Sequence, residues 1–186
     1  MKPLFKTIKT LATVLLVVSL TACKDTGSKQ TASVKPPKMD LQTAVLTNNT
    51  AAVKQHIAAG TNLNTQDPMS GATPLITAAS FGKTAMTQLL IEGGADLSAT
   101  NNDGATALHT AVFFCRVDIV KRLLDAGADP QARNKYGATP KATITGPFEA
   151  VKPIYEMLKQ QLEPMGMTVD IDRIEQTRPT VAALLP

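Results

Sequence analysis

The chain has 186 residues, enough for one domain with appendages, and a formal net charge of +4. That charge is unevenly placed: the first 23 residues hold 3 Lys and no acid, residues 24–39 hold 4 Lys and one Asp, and from Asp40 onward 12 basic residues face 14 acidic ones, a net −2. The basicity belongs to the leader and not to the folded part, which excludes a nucleic-acid binder that works through a basic face.

The first element is "MKPLFKTIKTLATVLLVVSLTAC", with Lys2, Lys6 and Lys9 ahead of an apolar run from Leu11 to Leu20. It is too short for a spanning helix with its own flanks and has the order of a secretory signal over residues 1–22. Leu20-Thr21-Ala22-Cys23 resembles a bacterial lipobox, which implies that Cys23 is acylated and anchors the chain to a membrane. Residues 23–39 then form a tether: "KDTGSKQTASVKPPK" is polar, has no aromatic residue and ends near Pro36-Pro37.

From Asp40 the pattern becomes helical and periodic. "GATPLITAASFGK" from Gly71, "GATALHTAVFFCR" from Gly104 and "GATPKATITGPFE" from Gly137 are spaced by 33 residues. Each of the first two leads into a second apolar block with Leu89-Leu90 or Leu123-Leu124 and exits at "GGAD" or "AGAD". A fixed period of this length is that of a solenoid, whose units bury their faces only against one another. Thr73 and Thr139 stand where helix N-caps are wanted, with Pro74 and Pro140 at the first helical position. Gly82 falls between the two helices of its unit, where a left-handed residue is needed, and the upstream unit uses Asn48 there.

These blocks resemble ankyrin repeats, with the β-turn, Thr-Pro-Leu-His helix start and Gly-Ala-Asp exit of that family. The resemblance implies an all-α solenoid of about four helix pairs with short hairpin turns over residues 40–163, and an irregular C-terminal cap over 164–186. The last unit departs from the pattern, with Lys141 where the others have Leu75 and Leu108, and with Gly146-Pro147 interrupting it. A terminal repeat faces water on one side, so such departures are expected there.

Neither histidine has a second His, Cys or carboxylate at metal-ligand spacing, and no nucleophile motif or phosphate loop occurs, so neither an enzyme, a cofactor nor a metal is expected. His109 occupies the Thr-Pro-Leu-His position, where it bridges units, and His56, on the second helix of the first unit, is expected to be a packing or surface residue. Cys115 falls at the left-handed turn position, a site that costs a side chain about 1–2 kcal/mol; it is expected to be a free, half-buried thiol.

Counting from the turn, Ser80-Phe81 and Phe113-Phe114 occupy the same two places at the ends of first helices. In the ankyrin family those places and the hairpin residues face the concave groove. The resemblance therefore implies a protein partner bound by Ser80, Phe81, Phe113, Phe114 and the hairpin residues Met69, Asn102, Lys135 and Tyr136. Aromatic side chains often anchor interfaces. The other reading of the pair is core packing, with Phe113 tucked against the next unit. The combined resemblance implies a monomeric lipoprotein on the periplasmic face of the outer membrane. Small tethered binders of this build resemble immunity proteins, which neutralise injected toxins such as the lipase effectors of type VI secretion. A scaffold for a resident envelope protein and an enzyme with a site in the C-terminal tail are the two alternatives.

Overall fold

A computed structural model describes residues 34–186. The expected signal segment, Cys23 and the first part of the tether lie outside the described residues. Eight α-helices follow one another: α1 (Leu41–Leu46), α2 (Thr50–Ala58), α3 (Pro74–Ser80), α4 (Thr84–Glu92), α5 (Ala107–Phe113), α6 (Val117–Asp125), α7 (Phe148–Leu162) and α8 (Ile171–Ala183). No strand occurs among the described residues, in line with the all-α expectation.

Local chemistry starts each first helix. Asp40, Thr73 and Thr106 stand in extended backbone, and their side-chain oxygens accept the amides of Thr43, Ile76 and His109. Each first helix then ends on a left-handed residue, Asn48 (φ 59°), Gly82 (φ 65°) or Cys115 (φ 51°). The next amide closes the turn onto the helix: Asn49 N donates to Ala44 O, Lys83 N to Ala78 O and Arg116 N to Ala111 O, each at 2.8 Å. The expected turn position of Cys115 is thus the observed one.

α3 packs between α1 and α5, and α4 between α2 and α6, so the first and second helices form two layers. Val45, Val53, Leu75, Met86, Leu90, Leu108, Ile119 and Leu123 are buried between successive units. Among the described residues no hairpin precedes the first unit. Gln42 ties it forward instead, its Nε2 donating to Ala72 O at 3.1 Å and to Thr77 Oγ1 at 3.0 Å. The end of the expected tether is also held: Gln55 Nε2 donates to Lys35 O at 2.8 Å, and His56 Nε2 lies 2.8 Å from Met39 O.

The fourth unit keeps only a 3-10 turn, Lys141–Thr143, in place of its first helix. Lys141 Nζ reaches over to Leu185 O at 3.0 Å, which gives its charge a partner at the chain end. The tail differs from the irregular cap expected of it. Residues 171–183 form a regular helix, and the expected boundary at 163/164 falls inside a two-helix arm, after α7. α8 packs on α6 and α7, with Ile174, Val181 and Leu185 buried. Arg178, only 6% exposed, donates to Gly146 O at 2.6 Å and lies over the Phe148 ring.

Candidate protein-binding surface

The hairpins between units are shaped by one side chain each. Asn101 Oδ1 accepts the amides of Asp103 and Ala105 at 2.9 Å, and Asn134 Oδ1 those of Tyr136 and Ala138 at 3.0 Å. Asp67 does the same for the first hairpin, which has one more residue. The Ser70 hydroxyl first, and then the amides of Met69, Ser70 and Ala72, hold its carboxyl below the ordinary carboxylate range against the opposing effect of burial. Neighbouring hairpins are joined by main-chain rungs, Asn102 N to Ser70 O and Lys135 N to Asp103 O, both at 2.9 Å. Gly104 is required by this approach: its φ is +71°, and a Cβ there would stand 2.9 Å from Lys135 N.

The rungs hold the tip side chains out into solvent. Met69 is 89% exposed and Tyr136 78%, the two most exposed large hydrophobic residues described. Exposed Asn102 and Lys135 stand in the hairpins beside them. Asn102 Nδ2 donates to Met69 O at 2.9 Å, and the Tyr136 hydroxyl to Asp103 Oδ1 at 3.3 Å. In the second unit Phe81 is half-buried, while the Ser80 hydroxyl is turned back onto Ile76 O at 2.9 Å.

The third unit departs from expectation. Phe114 is 8% exposed and belongs to the core, and Phe113 is half-buried under the arm. The Phe113 ring stacks on Tyr155 of α7 with centroids 4.7 Å apart, and packs edge-on to Phe114 at 5.0 Å. Both residues keep the register of Ser80 and Phe81, but the arm covers them, so neither faces a partner in this form. Tyr155 and Arg116 are the residues that this covering uses. Tyr155 is fully buried and Arg116 sends Nη2 to Thr168 O at 2.7 Å and to Ser80 O at 3.3 Å. The only sequence signal of Tyr155 is rarity, since it is one of two tyrosines, and Arg116 has none.

The remaining chemical candidates are structural. His109 Nε2 lies 3.1 Å from Ala138 O in the next hairpin, and Nδ1 accepts the Thr106 amide at 3.3 Å. One neutral tautomer, protonated at Nε2, satisfies both contacts, and burial lowers the imidazole's pKa accordingly. His56 bridges Met39 O and Thr61 Oγ1. Burial pushes the Cys115 thiol up, toward the inert neutral form. No group of three or more His, Cys, Asp or Glu side chains suited to a metal occurs among the described residues.

A family model described as "Ankyrin repeats (3 copies)" matches residues 41–134, half of the chain. The chain belongs to the ankyrin-repeat family. It is also similar to the crystal structure of the ankyrin repeat domain of Bcl-3, described as a unique member of the IkappaB protein family. The two share 32% identity with a TM-score of 0.54, over 55% of this chain and 45% of that one. The match thus spans less than half the length of that structure. No curated protein matches the chain. Ankyrin repeats are protein-interaction units, which makes this chain a protein-binding module.

Proposed function

We propose that the chain is a membrane-tethered immunity protein, which binds a lipase-type effector delivered by type VI secretion and neutralises it. The observation that carries the binding surface is the exposure of Met69 and Tyr136 at hairpin tips that the main chain already fixes. Because the main chain of these turns is already fixed, a partner that covers them orders the side chains alone. The partner-facing set in this proposal is Met69, Ser80, Phe81, Asn102, Lys135 and Tyr136. The tether is supported by the sequence alone: Cys23 after its apolar leader, with Lys24 next, suits acylation and retention in the outer membrane, facing the periplasm.

The test expresses the full chain in cells that receive, in the periplasm, a lipase-type effector of type VI secretion. Protection and inhibition of the purified lipase are expected. Tyr136→Ala should weaken binding by about 2 kcal/mol or more with an unchanged melting temperature, as an exposed interface anchor does. Cys23→Ser should release the chain from the membrane fraction. Cells that die as fast with the chain as without it, together with a fully active lipase, would remove the immunity role.

A further inference from the structure

The seam between the repeats and the last two helices is built differently from the joints between repeats. One wall is the end of α5 and its turn, Phe113 to Arg116; the other is Tyr155 of α7 with the start of α8. Three hydrogen bonds tie the arm to the repeats: Tyr155 Oη to Phe113 O and Arg116 Nη2 to Thr168 O, each at 2.7 Å, and Lys141 Nζ to Leu185 O at 3.0 Å. Between the two walls lies a solvent-open cleft of about 240 Å³, lined by Phe114, Cys115 and Arg116 on one side and by Arg173, Ile174 and Thr177 on the other. Arg116 Nε is buried there without a hydrogen-bond partner, and Arg178 Nη1 is likewise unpartnered within the arm. An unsatisfied buried donor weakens a joint, and a cleft open to water leaves that part of the seam without packing contacts. α7 itself buries one side chain completely, Tyr155, while Ile154 and Met157 are 44% and 49% exposed.

The repeats are joined more thoroughly. Their hairpin rungs end at Lys135, and the arm is connected in sequence through exposed Gly146-Pro147. In a solenoid each unit is stabilised only by its neighbours, so a weak terminal joint opens without the rest.

We propose that α7 and α8 form a hinged arm that masks Phe113 and Phe114 when closed and swings open about Gly146-Pro147 while the three repeats stay folded. Opening uncovers the two phenylalanines in the register of Ser80-Phe81 and lengthens the surface available to a protein partner. That last consequence rests on the protein-binding reading; the opening itself does not.

Cys115 is the probe. In the full chain with Cys23→Ser it is the sole thiol, because the sequence holds two cysteines. Its reaction with excess aromatic disulfide reagent is followed below the denaturation midpoint, beside hydrogen exchange of the α8 and α3 amides. Labelling without denaturant is expected to run at least about 100-fold faster than global unfolding allows, with α8 amides exchanging through the same opening and α3 amides only on global unfolding. Tyr155→Phe, which removes one seam hydrogen bond, should speed labelling about tenfold and leave the α3 amides unchanged. Labelling that follows global unfolding, or α8 amides as protected as those of α3, overturns the hinged arm. Both readouts need no partner, so their failure leaves the binding surface untouched, and a failed protection assay leaves the arm untouched.

Discussion

Tyr155 donates its hydroxyl to the main-chain carbonyl of Phe113 at 2.7 Å while its ring stacks on the Phe113 side chain. A carbonyl at the end of α5 that lacks an intrahelical partner is thereby satisfied by a residue 42 positions further on. The same contact closes the third unit to solvent.

This contact makes the fold sensitive to alkali. Burial pushes the Tyr155 phenol from its ordinary value of 10 up to about 12. The folded chain holds the proton more tightly than the unfolded one, so its contribution is complete below pH 10 and is lost as pH rises through about 12. The difference is on the order of 2–3 kcal/mol. Melting temperatures of the parent and of Tyr155→Phe between pH 9 and 12 check it. Parallel curves would show that the phenol is not held neutral by the fold.

Phe114→Ala should cost about 3–5 kcal/mol of stability, as buried phenylalanines do. Denaturant unfolding of the variant alone is sufficient. A midpoint that hardly moves would return Phe114 to the partner-facing set.

Cys115→Gly combines opposed effects at one site. Glycine relieves the left-handed strain of about 1–2 kcal/mol but adds about 0.4–1 kcal/mol of unfolded-chain entropy. It also gives up a buried thiol, roughly 1 kcal/mol of burial. The expected change is within about 1 kcal/mol of zero, read from the thermal midpoint. A loss above about 2 kcal/mol contradicts this balance.

His109 sets an acid limit. Burial lowers its pKa from the ordinary 6.5, so its contribution is present above pH 6.5 and is lost as pH falls toward the depressed value. Protonation puts a donor at Nδ1 against the Thr106 amide, which already donates there. Urea midpoints at pH 7.5 and 5 should differ more in the parent than in His109→Gln. Equal differences would mean that the imidazole charges freely in place.

The repeat core was legible in the sequence because its signals are local. Thr73-Pro74 announces a helix start, and Gly82 with its counterparts marks the left-handed turns. The 33-residue register also set the tip residues without any tertiary information. The arm was not legible. Pro153 and Pro179 lie inside α7 and α8, where a proline ordinarily signals a break, so neither segment declares its full helix. Phe114 shows the same limit from the other side. Its register is local, but the arm that covers it is held by its neighbours Phe113 and Arg116 through contacts separated by 42 and 52 residues, which no local pattern carries.

The rungs Asn102 N to Ser70 O and Lys135 N to Asp103 O use atoms that every residue except proline possesses. What joins these hairpins is therefore independent of side-chain identity at Met69 and Lys135, while Asn102, through its bond to Met69 O, and Tyr136, through its hydroxyl on Asp103, add side-chain contacts. Met69 and Lys135 can therefore change without loss of the scaffold. Substitutions at these two positions change what the surface presents to a protein partner and leave the main-chain rungs as they are.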